Sequence, residues 1–172
     1  SNHISWIDIP LMLSIAPVRF LSKSEIKKWP ILGYLATRAG TIFIDRSKVS
    51  EIKKVTKEIT QLIGKDKNIL LFPEGTTSKG DSVLPFHASF LQTAINSRCQ
   101  VLPVAIRYLT SNKTPDYMPA YVDGLSFFDI LIRVARSKKI VAEVQFYELI
   151  NTRDLTRRAL AKILHQKIQS SF

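Results

Sequence analysis

Four consecutive apolar residues, Ile69-Leu70-Leu71-Phe72, are stopped by Pro73 and followed by Glu74-Gly75-Thr76-Thr77-Ser78. Successive side chains of a strand point to opposite faces. A run with no polar member therefore needs cover on both sides, as in a parallel sheet between helices. Thr41-Ile42-Phe43-Ile44 is a second such run, with Asp45-Arg46-Ser47 leaving its carboxyl end. Helical patterns alternate with the strands, which predicts an α/β fold: a mixed, mostly parallel sheet flanked by helices.

In chain order, Pro10 belongs in a first helical turn, so a helix opens between Trp6 and Ile9 and runs to about Ala16. Val18 to Leu21 reads as a short strand, Ser22 to Glu25 as a polar turn, and Ile31 to Thr37 as a short helix ended near Gly40. Ser50 is placed to cap a helix to Gly64, with Ile52, Val55, Ile59, Leu62 and Ile63 on one face. A helix from about His87 to Ser97, a strand from Val101 to Tyr108 containing Pro103, and a loop over 110–120 follow. Then come an apolar helix from Ser126 to Arg136, a strand from Ile140 to Tyr147, and a basic amphipathic helix from Asp154 to about Ile168.

A length of 172 residues fits one domain spanning 1–172, with room for a proper core. The 25 Lys and Arg against 14 Asp and Glu give +11, which calls for an acidic partner: nucleic acid, an anionic membrane surface or a phosphorylated substrate. A single cysteine, Cys99, excludes an intrachain disulfide and a Cys-based zinc cluster, and is read as structural. No apolar run approaches the 18 residues of a membrane span. The chain opens at Ser1 rather than Met, directly on its most suggestive stretch, and is expected to be a fragment whose N-terminal portion, a membrane-anchoring segment included, is missing from this sequence.

That stretch is Asn2-His3-Ile4-Ser5-Trp6-Ile7-Asp8. Five residues advance about 140° in a helix, so His3 and Asp8 meet only if His3 sits in the turn before it and Asp8 in its opening. Asp8 then accepts from one ring nitrogen and leaves the other free as a base. From this stretch alone the plainer reading is favoured, a buried histidine beside a helix-capping aspartate. Arg46 offers a planar fork to a phosphate at the carboxyl end of a strand, where open α/β sheets bind ligands; a surface ion pair with Asp45 is the plainer alternative. Gly75 permits a tight turn, Thr76, Thr77 and Ser78 bring donors, and Glu74 is either a ligand for a substrate hydroxyl or basic group, or an exposed turn residue. There is no G-x-S-x-G elbow and no P-loop, and His3, His87 and His165 share no metal-ligand spacing.

Four ordered blocks, residues 2–8, Gly40 to Arg46, Phe72 to Ser78 and Val101 to Ile106, resemble those of the glycerolipid acyltransferases, the family that includes 1-acylglycerol-3-phosphate acyltransferase. The first carries that family's H-x-x-x-x-D signature, and Trp29-Pro30-Ile31-Leu32-Gly33 also looks familial. The resemblance implies that His3 is a general base oriented by Asp8, working without metal or cofactor. It implies acyl-CoA or acyl carrier protein as donor and a lysolipid acceptor, 1-acylglycerol-3-phosphate first and another lysophospholipid or lyso-ornithine lipid next. Arg46, Glu74, Gly75, Thr76 and Thr77 would position the acceptor and Lys23 an oxyanion. Many members that acylate lysophosphatidic acid carry an arginine where this chain has Thr77. The basic excess then suits an anionic membrane, at the cytoplasmic face of the inner or plasma membrane. The rivals are a thioesterase and a basic binding module; no nucleic acid is expected, since no nucleic-acid motif is visible.

Overall fold

The computed structural model describes residues 1–172 except 30–31, 46–48, 66, 123 and 125–126; the side chains of Lys23, Leu32, Leu35, Phe127 and residues 49–53 also lie outside the description. Strands β1 (Val18–Lys23), β2 (Ile42–Ile44) and β3 (Asn68–Leu70) form a parallel sheet in the order β2-β1-β3. The front half of β1 pairs with β3 (Phe20 opposite Leu70) and its back half with β2 (Leu21 opposite Ile42). Strand alternation sorts the side chains onto two faces. Phe20 and Leu70 join Ile4 and Met12 beneath helix α1 (Asp8–Ile15), while Leu21, Ile42, Ile44 and Ile69 meet Val55 and Ile59 of α3 (Val49–Ile63). The apolar run at 69–72 is covered on both sides, as its composition requires. Its strand ends early, at Leu70, because the Leu71 carbonyl accepts from the Ser1 nitrogen at 3.0 Å instead of continuing the ladder.

Beyond residue 80 the sheet expectation needs correction. The strand read as Val101 to Tyr108 is two, β4 (Gln100–Val101) and β5 (Val104–Leu109), broken where Pro103 has no N–H for a ladder. β5 pairs antiparallel with β6 (Val141–Phe146), and β4 antiparallel with β7 (Ile150–Asn151), a strand too short to stand out in the sequence. The β5–β6 connection carries a helix, α5 (Phe127–Arg136), yet is no parallel crossover, because the chain folds back on β5 at once: Asp116 N–H donates to the Tyr108 carbonyl at 2.9 Å.

Smaller corrections concern helix ends. Residues 24–28 are a 3₁₀ helix and Lys23 closes β1, so neither is a free polar turn. The helix expected over 87–97 opens as a 3₁₀ turn (Ala88–Leu91) before α4 (Gln92–Ser97). α3 already begins at Val49, which puts Ser50 inside its first turn rather than at the cap. α6 (Arg157–Gln169) starts where the Thr156 hydroxyl accepts the Ala159 N–H at 3.2 Å, three residues past the expected Asp154.

Gly33, in α2 (Leu32–Arg38), is pressed against the 3₁₀ helix at 24–28, so that a Cβ there would lie 2.3 Å from the Lys27 carbonyl oxygen. Backbone cannot yield as a side-chain tip can, so Gly33→Ala should cost roughly 1–3 kcal/mol as an overpacking change. At Gly64 the nearest atom to an added Cβ is 3.5 Å away, and Gly64→Ala should leave stability nearly unchanged. Equal urea midpoints for the two variants would contradict this packing.

Candidate active site

Residues 1–5 have neither helix nor strand hydrogen bonding of their own, yet Asn2, Ile4 and Ser5 are buried. Their polar groups must find partners elsewhere, and those partners set the site. The Asn2 side chain acts as a strand mate for β5, donating to the Ile106 carbonyl at 2.9 Å and accepting the Ile106 N–H at 2.8 Å. The Ile4 carbonyl accepts from Tyr121 N–H at 2.9 Å, and the His3 carbonyl from Ser78 N–H at 2.8 Å.

Asp8, the first residue of α1, is 0 % exposed. Its Oδ2 accepts the N–H groups of Ile4 (2.8 Å) and Ser5 (3.0 Å) and lies 2.8 Å from His3 Nδ1; its Oδ1 accepts the Tyr108 hydroxyl at 2.7 Å. An ionised carboxylate only accepts, so Nδ1 is the protonated ring nitrogen and Nε2 carries the lone pair. Among the described residues nothing hydrogen-bonds Nε2, and the His3 side chain is 19 % exposed. The Phe72 ring stacks on the imidazole, centroids 4.0 Å apart and planes 13° from parallel. The ring is thus held at its plane and at one nitrogen, and the other nitrogen is left as an acceptor without a hydrogen-bond partner among the described residues.

Glu74 holds the same histidine by its main chain. One oxygen accepts the His3 N–H at 2.7 Å and the other the Leu84 N–H at 2.9 Å. It is 2 % exposed, so it is no exposed turn residue, and burial raises its pKa while the two N–H bonds pull the other way. Gly75 turns the chain at φ +74°, where a Cβ would stand 3.2 Å from His87 Cδ2. Thr76 is exposed. The Thr77 hydroxyl donates to the Tyr121 carbonyl, which ties this loop to the same segment that binds Ile4. Arg46 and the Lys23 side chain lie outside the described residues, so the phosphate and oxyanion roles have no geometry here. Among the described residues no group of three or more His, Cys, Asp or Glu is placed to hold a metal. Cys99 sits half-buried at the α4–β4 junction, and burial raises its thiol pKa.

Tyr108, Phe72 and Asn2 were not singled out by sequence. Tyr108 is one hundred residues from Asp8; its only signal was an amphipathic ring on the same strand face as Val104 and Ile106, where a buried hydroxyl needs a partner. Behind the site, beside Ser1 and Pro73, is a mostly apolar cavity of about 550 Å³ whose walls include Met12, Leu70, Leu71, Val104 and Leu164.

Removing the Tyr108 hydroxyl leaves a buried carboxylate oxygen without its donor, so Tyr108→Phe should cost about 1–3 kcal/mol. The exposed Tyr117→Phe is the control, and an equal loss from both in urea titrations would remove Tyr108 from the network. Glu74 adds a pH dependence of opposite sign to that of a paired carboxylate. With its folded pKa raised, the unfolded chain releases the proton first as pH rises. The contribution of Glu74 is therefore fullest below the ordinary carboxylate pKa of 4.5 and falls as pH climbs toward the folded value. The stability of wild type relative to Glu74→Gln should decline over that window, and a difference that grows there would reverse the assignment.

The sequence matches the family model described as Acyltransferase over residues 1–107. It is 34% identical over 169 residues to the lyso-ornithine lipid O-acyltransferase of Pseudomonas aeruginosa, covering 98% of this chain and 65% of that protein. It is 37% identical over 147 residues to the 1-acyl-sn-glycerol-3-phosphate acyltransferase of Neisseria gonorrhoeae, covering 85% of this chain and 57% of that one. The chain thus spans about three fifths of the length of these relatives. The crystal structure of the 1-acyl-sn-glycerophosphate acyltransferase PlsC of Thermotoga maritima superposes with a TM-score of 0.67 at 21% identity, over 99% of this chain and 62% of that one, and so shares its fold. With the family model covering more than half of its residues, this chain belongs to the Acyltransferase family.

Proposed function

We propose that the chain moves a fatty acyl group from an acyl thioester, acyl-CoA or acyl carrier protein, to the hydroxyl of a lysolipid, with 1-acylglycerol-3-phosphate as the first acceptor. The observation that carries this reading is the partly exposed His3, whose Nδ1 is held by Asp8 at 2.8 Å and whose Nε2 has no hydrogen-bond partner among the described residues. Nε2 removes the proton of the acceptor hydroxyl as its oxygen attacks the thioester carbonyl. Collapse of the tetrahedral adduct breaks the C–S bond, and the imidazolium returns the proton to the leaving thiolate. Asp8 stabilises the imidazolium without taking its proton. No acyl-enzyme forms, and Cys99 has no part in the chemistry. The apolar cavity beside Ser1 and Pro73 gives an acyl chain a dry place to lie.

Arg46 is assigned to the acceptor phosphate and Lys23 to the oxyanion, with Gly75, Thr76 and Thr77 forming the wall at the head group. Glu74 acts at one remove, by fixing the His3 backbone. Lyso-ornithine lipid is the second acceptor. It is favoured by the Pseudomonas relative, whose likeness runs over 98% of the chain, and by Thr77, which supplies no second cation.

His3→Ala should fold and lose transfer by about 10²–10⁴-fold, the usual cost of a general base. The assay offers 1-acylglycerol-3-phosphate and lyso-ornithine lipid in competition, with acyl-CoA and acyl carrier protein as donors. Wild-type turnover by folded His3→Ala would refute the mechanism, and free fatty acid as the sole product would make the chain a thioesterase.

A further inference from the structure

Helix α5 carries more apolar surface outward than its neighbours cover. Ile130 is fully buried and anchors it, while Phe128 (68 %), Leu131 (37 %) and Ile132 (49 %) are exposed, as is Ala135. At 3.6 residues per turn, positions 128, 131, 132 and 135 fall within an arc of about 100°, opposite Ile130. Arg136 borders that stripe on one side and Arg133 stands about 100° beyond its edge, with Asp129 between them on the helix; these three, with Met118, Ile132 and Ser137, line an open hollow, and Lys138 and Lys139 follow, both exposed. An apolar stripe with Arg136 at its edge, on a helix of ten residues, is long enough to lie on a bilayer and too short to cross one.

The helix is also tied to the rim of the site. Tyr121, six residues before α5, bonds Ile4 and Thr77. Met118 of the hollow adjoins Tyr117, over whose ring Lys79 Nζ lies at 5.4 Å, and the neighbouring Ser78 bonds the His3 carbonyl. The hollow beside α5 and the loop that bonds the His3 carbonyl thus share the 117–121 segment.

We propose that α5 is an interfacial helix that docks the mouth of the site on an anionic lipid surface. The occupant is chosen by charge: Arg133, Arg136, Lys138 and Lys139 outnumber Asp129 on and just after the helix, on a chain of net charge +11, which disfavours a second copy of this chain and favours anionic head groups. The proposal rests on the reading of the substrate as a lipid, but its test needs no catalysis.

The purified chain is mixed with phosphatidylcholine vesicles, with and without phosphatidylglycerol, and the bound fraction is read by flotation at low and high salt. Wild type should bind the anionic vesicles and release as salt rises. The double variant Leu131→Ser/Ile132→Ser, whose sites are exposed, should keep its melting temperature and bind about tenfold less. Arg133→Gln/Arg136→Gln should lose the preference for phosphatidylglycerol and its salt dependence. Both should transfer to a monomeric short-chain acceptor as wild type does, and lose transfer to an acceptor embedded in vesicles. Vesicle binding equal to wild type in both variants overturns the proposal. So does a self-associated chain that the Ser double variant turns monomeric while vesicle binding is unchanged, which would make the face a contact between copies. A chain that floats through α5 but transfers to no acceptor refutes the proposed function and leaves the docking intact.

Discussion

The carboxylate of Asp8 is the interaction on which the rest of the site depends. A fully buried negative charge is tolerated only where hydrogen bonds replace its water. Here four donors converge on it, from the imidazole of His3, the backbone of Ile4 and Ser5, and the Tyr108 hydroxyl on β5. Those donors come from the chain's opening turn and from a strand a hundred residues away. Satisfying one carboxylate therefore fixes the turn before α1, locks α1 to the β5–β6 ladder, and chooses the tautomer of His3. The amide of an asparagine would set an N–H₂ against donors that now meet an acceptor.

The parallel sheet and the β5–β6 ladder meet through this same opening segment. Parallel strands β1 to β3 end near Leu70, and the next carbonyl is taken by Ser1. Asn2 then imitates a strand residue against Ile106, while His3 and Ile4 bind Ser78 and Tyr121. A histidine in such a position has its backbone fixed on both sides, by Glu74 at its N–H and Ser78 at its carbonyl. The ring needs only the stacked Phe72 and the Asp8 bond to become rigid. Rigidity of the base is what lets proximity and orientation lower a barrier.

Local chemistry was legible in the sequence wherever it was local in space. The run Ile69 to Phe72 announced a strand covered on both faces, and Pro10 placed the start of α1 within two residues. The direction of pairing was not legible, because β5 and β6 have the same composition in either orientation and the helix between them imitates a crossover. Glu74 reads as polar and turn-borne, and only the fold shows that the turn points its carboxylate inward at two N–H groups. Tyr108 needed a contact across a hundred residues, which no spacing rule contains. Membership of the family was legible from four short blocks, two of which, residues 2–8 and 72–78, hold His3, Asp8, Phe72 and Glu74.

If His3 is the base, as proposed, its unbonded nitrogen raises a problem of selectivity, because water is the commonest hydroxyl. The His3 side chain is 19 % exposed, so water can reach it, and on the proposed reading the apolar cavity shelters the acyl chain rather than the hydroxyl. On the proposed reading, the acceptor supplies the missing wall. A lysolipid held at a bilayer brings its hydroxyl with apolar surface around it, and a docked α5 would close the mouth from the side of Tyr121. Exclusion of water would then be a property of the enzyme on its surface and not of the free chain. On that reading the work is divided: the buried carboxylates beneath His3 hold the base, and the exposed cations on and after α5 decide where it is used.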